Sequence, residues 1–179
     1  MAAIPKPRSY DPHFNEREWY VDVVPVMYSA DALDANDVAC ATFLIENACK
    51  FPDIPVELFQ WRVIDYDDNT AINLDLILFN ENVVLGTPDS AIDITDAHMA
   101  YWLGNTRAVS TSWYDFINAK ACLVNEGSAP IGNLINMPIH VIPKAGTRNI
   151  YGALVNSGTP TYTASGIHLR LFFRPVSPR

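Results

Sequence analysis

The sequence predicts a mainly β domain, a β-sandwich of jelly-roll or Greek-key type with one short helix and an extended N-terminal arm. Three observations predict it. About eight to ten short segments alternate between apolar and polar, or run apolar, over lengths typical of strands. Turn-forming clusters such as NEGSAPIGN, PKAGT and NSGTP separate them. Only one segment reads as helix, so the strand–helix alternation of a doubly wound sheet is missing.

The 179 residues suit one domain, with residues 1–20 as the arm and residues 21–179 as the sandwich. A hydrophobic share of 49% with 11% aromatics supplies a sizeable core. No apolar run approaches the roughly 18–20 residues of a membrane span. The opening MAAIPKPRSYDPHFNEREWY lacks the apolar stretch of a signal peptide. Twelve bases against 20 acids give a charge of 12 − 20 = −8, which disfavours nucleic acid as a partner. Cys40, Cys49 and Cys122 form no CxxC, and Cys40 and Cys122 lie in apolar runs. They read as buried free thiols made in a reducing cytoplasm, with a disulfide as the alternative.

Charge is uneven. Residues 21–104 carry 15 acids against Lys50 and Arg62, a net of −13. The last 36 residues hold Lys144, Arg148, Arg170, Arg174 and Arg179 with no acid. The favoured reading is that the two halves interleave and compensate each other. The alternative makes Arg170, Arg174 and Arg179 a basic contact for a partner.

The elements follow in order. Pro5, Pro7 and Pro12 disfavour helix in residues 1–20, and Phe14, Trp19 and Tyr20 suit an arm that docks on something. YVDVVPVMY reads as a strand with an edge or bulge at Pro25. DVACATFLI (37–45) suits a strand or a short helix. VELFQWRVIDY (56–66) is a long strand, ended by the turn-forming Asp67-Asp68-Asn69. AINLDLILF (71–79) puts Ile72, Leu74, Leu76 and Leu78 on one face and Asn73 and Asp75 on a wetter one, so 56–79 reads as a hairpin. Thr95 caps a helix of two to three turns through AHMAYWL, with Gly104 as its C′ residue. Further strands are expected at 106–113, 119–124, 137–142, 149–155 and 167–174. The last places Ile167, Leu169, Leu171 and Phe173 opposite His168, Arg170 and Arg174.

Chemistry is sparse. His13, His98, His140 and His168 are isolated, without HExxH, paired CxxC or His-x-His. GxGxxG, Walker A and GxSxG patterns are absent. Asp65, Asp67, Asp68 and Asn69 gather hard oxygen ligands of the kind calcium takes, but lack the glycine and distal glutamate of an EF-hand. An acidic turn is the favoured reading. Tyr101, Trp102, Trp113, Tyr114 and Phe116 suit core packing first and a sugar-binding groove second. No carboxylate pair stands out, so neither a catalytic residue nor a metal or other cofactor is expected.

From about Asn69 to Phe173 the chain resembles a family of tailed-phage virion proteins. The resemblance rests on Leu74–Asn80 (LDLILFN), the acidic helix start Asp93-Ile94-Thr95-Asp96, and Trp113-Tyr114-Asp115. Tyr151–Val155, Gly158-Thr159-Pro160-Thr161-Tyr162 and the alternating Ile167–Phe173 complete it. The longer arm and the tail ending RPVSPR depart from the family pattern. The resemblance implies a non-enzymatic capsid decoration, or cement, protein on the capsid exterior. Its partners would be the major capsid protein and copies of itself, as a trimer. The residues then expected to make contact are Pro5, Pro7, Phe14, Trp19 and Tyr20. The alternatives are a tail- or fibre-associated protein that binds host glycan and, third, a small hydrolase with an unmarked carboxylate pair.

Overall fold

The computed structural model describes residues 18–69, 72–126 and 137–176. Among them, ten strands form two antiparallel sheets packed as a sandwich. The larger sheet runs β1 (Trp19–Val23), β10 (Ile167–Pro175), β3 (Val56–Asp65), β7 (Lys120–Asn125) and β6 (Trp113–Asp115). Its sixth strand, β8 (Ile139–Val141), pairs with the start of β3 through Val56–Leu58. The smaller sheet runs β2 (Phe43–Ile45), β9 (Ile150–Asn156), β4 (Leu74–Phe79) and β5 (Trp102–Ala108).

Two-residue periodicity decides which side chains meet between the sheets. β10 sends Ile167, Leu169, Leu171 and Phe173 inward, as its alternation predicts, and all four are buried. Trp61 and Val63 of β3 face Leu74, Leu76 and Leu78 of β4 and Leu154 of β9 in one continuous core. Each such side chain contributes roughly 1.5–3 kcal/mol when fully buried. Trp61 is also the polar link between the layers, its Nε1–H donating to the Thr106 hydroxyl of β5 at 3.3 Å. Cys40, Cys49 and Cys122 are buried free thiols.

Several expectations are corrected. Residues 56–79 are not a hairpin, because β3 and β4 belong to different sheets and the turn at 66–69 starts a crossover. The alternation of two strands does not say whether they share a sheet. The second face of β4 is not wet beyond Asp75. The 83–94 segment folds over it, and Phe79, Val83, Leu85, Val38, Ala153 and Val155 form a second core there.

The helix is a single turn, α1 (Asp96–Met99), although Thr95 does cap it by accepting from the His98 N–H. Trp102 and Leu103 already belong to β5, and Gly104 sits in that strand at φ +152° opposite Leu78. The register slips there, Phe79 facing Trp102 while Leu78 faces Gly104, so Leu103 is the extra residue of a bulge. Residues 37–45 form bridges and β2 rather than a helix. The expected strand at 106–113 divides into the end of β5, a 3₁₀ turn at Ser110–Ser112 and the start of β6. β1 ends at Val23, before Pro25.

Candidate functional site

Asp65 lies at the end of β3, and Asp67, Asp68 and Asn69 follow in the turn. Their oxygens are already engaged by the protein. The Asp65 carboxylate accepts from the Asp67 N–H at 2.8 Å and from the Asn69 side-chain amide at 3.2 Å. Asp67 accepts from both the backbone N–H and the hydroxyl of Thr163, and Asn69 Oδ1 accepts from the Thr161 N–H. Asp68 pairs with Lys120 of β7. Burial raises the Asp65 carboxyl above its usual range, opposed by hydrogen bonds from Asp67 and Asn69. The cluster is a latch that holds the 157–166 segment beside the sheet. Among the described residues, no group of three or more His, Cys, Asp or Glu is placed to hold a metal ion.

The basic residues are spread through ion pairs that join the acidic and basic parts of the sequence. Arg170 grips Asp22 with two hydrogen bonds of 2.6 and 2.8 Å, which raise its own pKa, and its guanidinium lies 4.2 Å from the centre of the Tyr20 ring. Arg174 serves two carboxylates, Glu57 at 2.8 Å and Glu126 at 2.9 Å. Lys144 pairs with Glu81 and Arg107 with Asp75. Compensation between interleaved halves is therefore what the fold contains. Arg179 lies outside the described residues.

Of the expected arm contacts, Pro5, Pro7 and Phe14 lie outside the described residues. Trp19 and Tyr20 belong to β1. Trp19 Nε1–H donates to the Ala48 carbonyl at 3.0 Å and its ring stacks on Phe173, so it fastens β1 to its own domain. Tyr20 instead stands on the outer face, half exposed.

That outer face of the larger sheet is an organised surface. Cross-strand registers place Tyr20, Phe172, Gln60 and Asn125 in one row, and Asp22, Arg170, Arg62 and Leu123 in the next. His168, Ile64, Ala121 and Tyr114 form a third. Phe59, the extra residue at a bulge opposite Phe172 and Phe173, adds its ring to the same face, with Arg174 5.2 Å from its centre. Arg62 sits in the middle. Its Nε is buried without a hydrogen-bond partner, and no ion pair joins it to another described residue. In the sequence Arg62 stands out only as a rare base in an acidic stretch, because its row neighbours Arg170 and Leu123 come from distant parts of the chain.

The expectation that the 101–116 aromatics are core is overturned for four of the five. Tyr101, Trp102, Tyr114 and Phe116 are exposed, Tyr114 at 68% and Phe116 at 60%. Only Trp113 is packed inward, its Nε1–H donating to the Ile72 carbonyl at 2.9 Å. Tyr114 and Phe116 touch, with ring centres 4.9 Å apart, at the tip of the β6–β7 hairpin. Ile117 completes that tip at φ +77°, an unusual conformation for a β-branched residue. The histidines stay apart. His140 lies 3.5 Å from Glu57, His168 meets Tyr66 edge-on, and His13 is outside the described residues.

No protein-family model matches this chain, and no curated protein matches it.

Proposed function

We propose that the chain is a non-enzymatic structural protein of a tailed-phage virion. It acts as a capsid decoration protein that bridges and stabilises major capsid subunits as a homotrimer. It is made in the host cytoplasm and lies on the capsid exterior. One observation carries the reading. Three of the stretches that resemble the virion family are contiguous in the fold. Leu74–Asn80 supplies β4, Tyr151–Val155 supplies most of β9 beside it, and Gly158–Tyr162 joins β9 to β10. The connection is packed, with the Tyr162 ring buried in the main core.

A bridging protein works by area and complementarity rather than by a reacting centre. A rigid sandwich with a sheet face rich in tyrosine, phenylalanine and arginine suits that work. The test is quantitative mass spectrometry of purified particles. Copy number comparable with the shell protein supports decoration, a tail-like ratio moves the protein to the tail, and absence from particles overturns the virion role.

The exposure of Tyr101, Trp102, Tyr114 and Phe116 favours a second reading, a tail- or fibre-associated glycan binder. No ring contact joins the Tyr101–Trp102 pair to the Tyr114–Phe116 pair among the described residues. Glycan-array binding that is lost in Trp102→Ala or Tyr114→Ala would favour it.

A further inference from the structure

We propose that the tip of the β6–β7 hairpin is an anchor that seats in an apolar pocket, rimmed by Lys or Arg, on the major capsid protein. The inference rests on the decoration role proposed above and names the surface that role uses. Tyr114, Phe116 and Ile117 put three large side chains at the tip, and Ile117, at 84%, is the most exposed large hydrophobic among the described residues. β6 is the last strand of the larger sheet, so the tip stands at an open corner. Contiguous apolar surface of this kind marks a contact site on a soluble protein.

The tip is also built rather than loose. Phe116 N–H donates to the Ala119 carbonyl at 2.9 Å, and Ile117 N–H to Asp115 Oδ1 at 2.8 Å. These bonds hold Ile117 at φ +77°, where a β-branched side chain is strained. A strained apex residue whose side chain stands in water is explained by what that side chain meets outside its own domain. A fixed tip loses little conformational freedom on docking. The rings of Tyr114 and Phe116 are tilted by 52°, so they form a wedge rather than the flat platform on which a sugar stacks.

Charge decides the partner. Lys120 stands in register between Asp115 and Asp65 and is ion-paired with Asp68, so three carboxylates share one ammonium beside the tip. That excess of acid repels anionic lipid headgroups and calls for Lys or Arg around the receiving pocket. A second copy does not offer such a rim. Arg107, Lys120, Lys144, Arg170 and Arg174 are already in ion pairs, and Lys50 lies over the Trp19 ring. Of the described bases Arg62 and Arg148 remain, one in the middle of β3 and the other in the loop before β9.

The test adds the full chain to capsids assembled without it and reads binding by co-sedimentation, for wild type, Ile117→Asn and Asp115→Asn. Asparagine accepts a positive φ, so Ile117→Asn keeps or raises the denaturation midpoint and separates lost binding from lost fold. Asp115→Asn keeps the oxygen that accepts from the Ile117 N–H and removes the charge. The expected result is binding that falls as salt rises and is weakened by about tenfold or more in Ile117→Asn, and less in Asp115→Asn. Wild-type binding that both variants retain overturns the anchor and leaves the decoration role standing. A wild type that does not bind overturns the anchor, and its absence from native particles overturns the decoration role as well. Loss in Ile117→Asn with no effect of salt or of Asp115→Asn overturns the basic rim and with it the stated partner. Flotation of wild type, but not of Ile117→Asn, with phosphatidylcholine vesicles assigns the tip to a membrane instead. An oligomer in sedimentation velocity that Ile117→Asn dissociates assigns it to a second copy instead.

Discussion

The Asp67 carboxylate accepts two hydrogen bonds from Thr163, one from its backbone N–H and one from its hydroxyl, both at 2.8 Å. It thereby ties the turn after β3 to the connection that enters β10. Gly166, three residues beyond Thr163, passes so close that a Cβ built there would stand 1.7 Å from Asp67 Oδ2. Asp67→Ala is expected to lower stability by about 1–3 kcal/mol, the scale of charge-assisted hydrogen bonds. Gly166→Ala is expected to cost about 1–3 kcal/mol through overpacking. In a double-mutant cycle by chemical denaturation the second cost should shrink once Asp67 is alanine. Strict additivity would show that the clash is relieved elsewhere.

Thr106→Val keeps the shape of the side chain and removes the acceptor of the buried Trp61 indole. An unsatisfied buried N–H costs about 1–3 kcal/mol, so the denaturation midpoint should fall with little change in slope. An unchanged midpoint would mean that the bond contributes nothing net.

Burial pushes the Cys40 thiol up to about 12, and those of Cys49 and Cys122 up to about 11. At mildly alkaline pH almost no thiolate is present, and the sulfurs are covered. Native protein should therefore react with a thiol reagent only at the rate of unfolding or local opening. All three cysteines should react at once in denaturant. Rapid labelling of any one in native buffer would show that its cover opens readily.

The Arg174 guanidinium holds the Glu126 carboxyl below its usual range. The folded state therefore releases that proton at lower pH than the unfolded chain. The pair's stabilisation is complete above the unfolded value and is lost as pH falls through the folded one. Asp65 moves the other way. Burial raises its folded value, so its ionised form opposes folding, and that penalty is relieved as pH falls through the raised value. Denaturation midpoints across pH should show Glu126→Gln weakening the protein near neutrality and matching wild type in acid. A gap that persists in acid would assign the effect to packing.

Much of the fold is legible in the sequence because β3 and β10 announce themselves. Ile167, Leu169, Leu171 and Phe173 alternate without a break, and the Thr95 cap is visible from its side chain and the acid beside it. The assignment of strands to sheets is not legible. Among the described strands only β4–β5 and β6–β7 pair with their sequence neighbours. The alternation of Leu74, Leu76 and Leu78 therefore identifies a strand but not its partners. The burial of the second face of β4 is not legible either, because Val83 and Leu85, the cover of Phe79, come from a loop with no period of its own. The surface around Arg62 was hidden for the same reason, since Asp22, Arg170 and Leu123 meet only through long-range register.

The β1–β10 pairing has a consequence for synthesis. β10 lies between the strand made first and β3, so neither can complete its ladder until Ile167–Pro175 has left the ribosome. Until then one long side of β3 is an unpaired edge, and the core lacks Leu169, Leu171 and Phe173. The sandwich therefore closes only after Pro175 has been made, through non-local pairing of the kind that folds slowly and leaves strand edges open on the way.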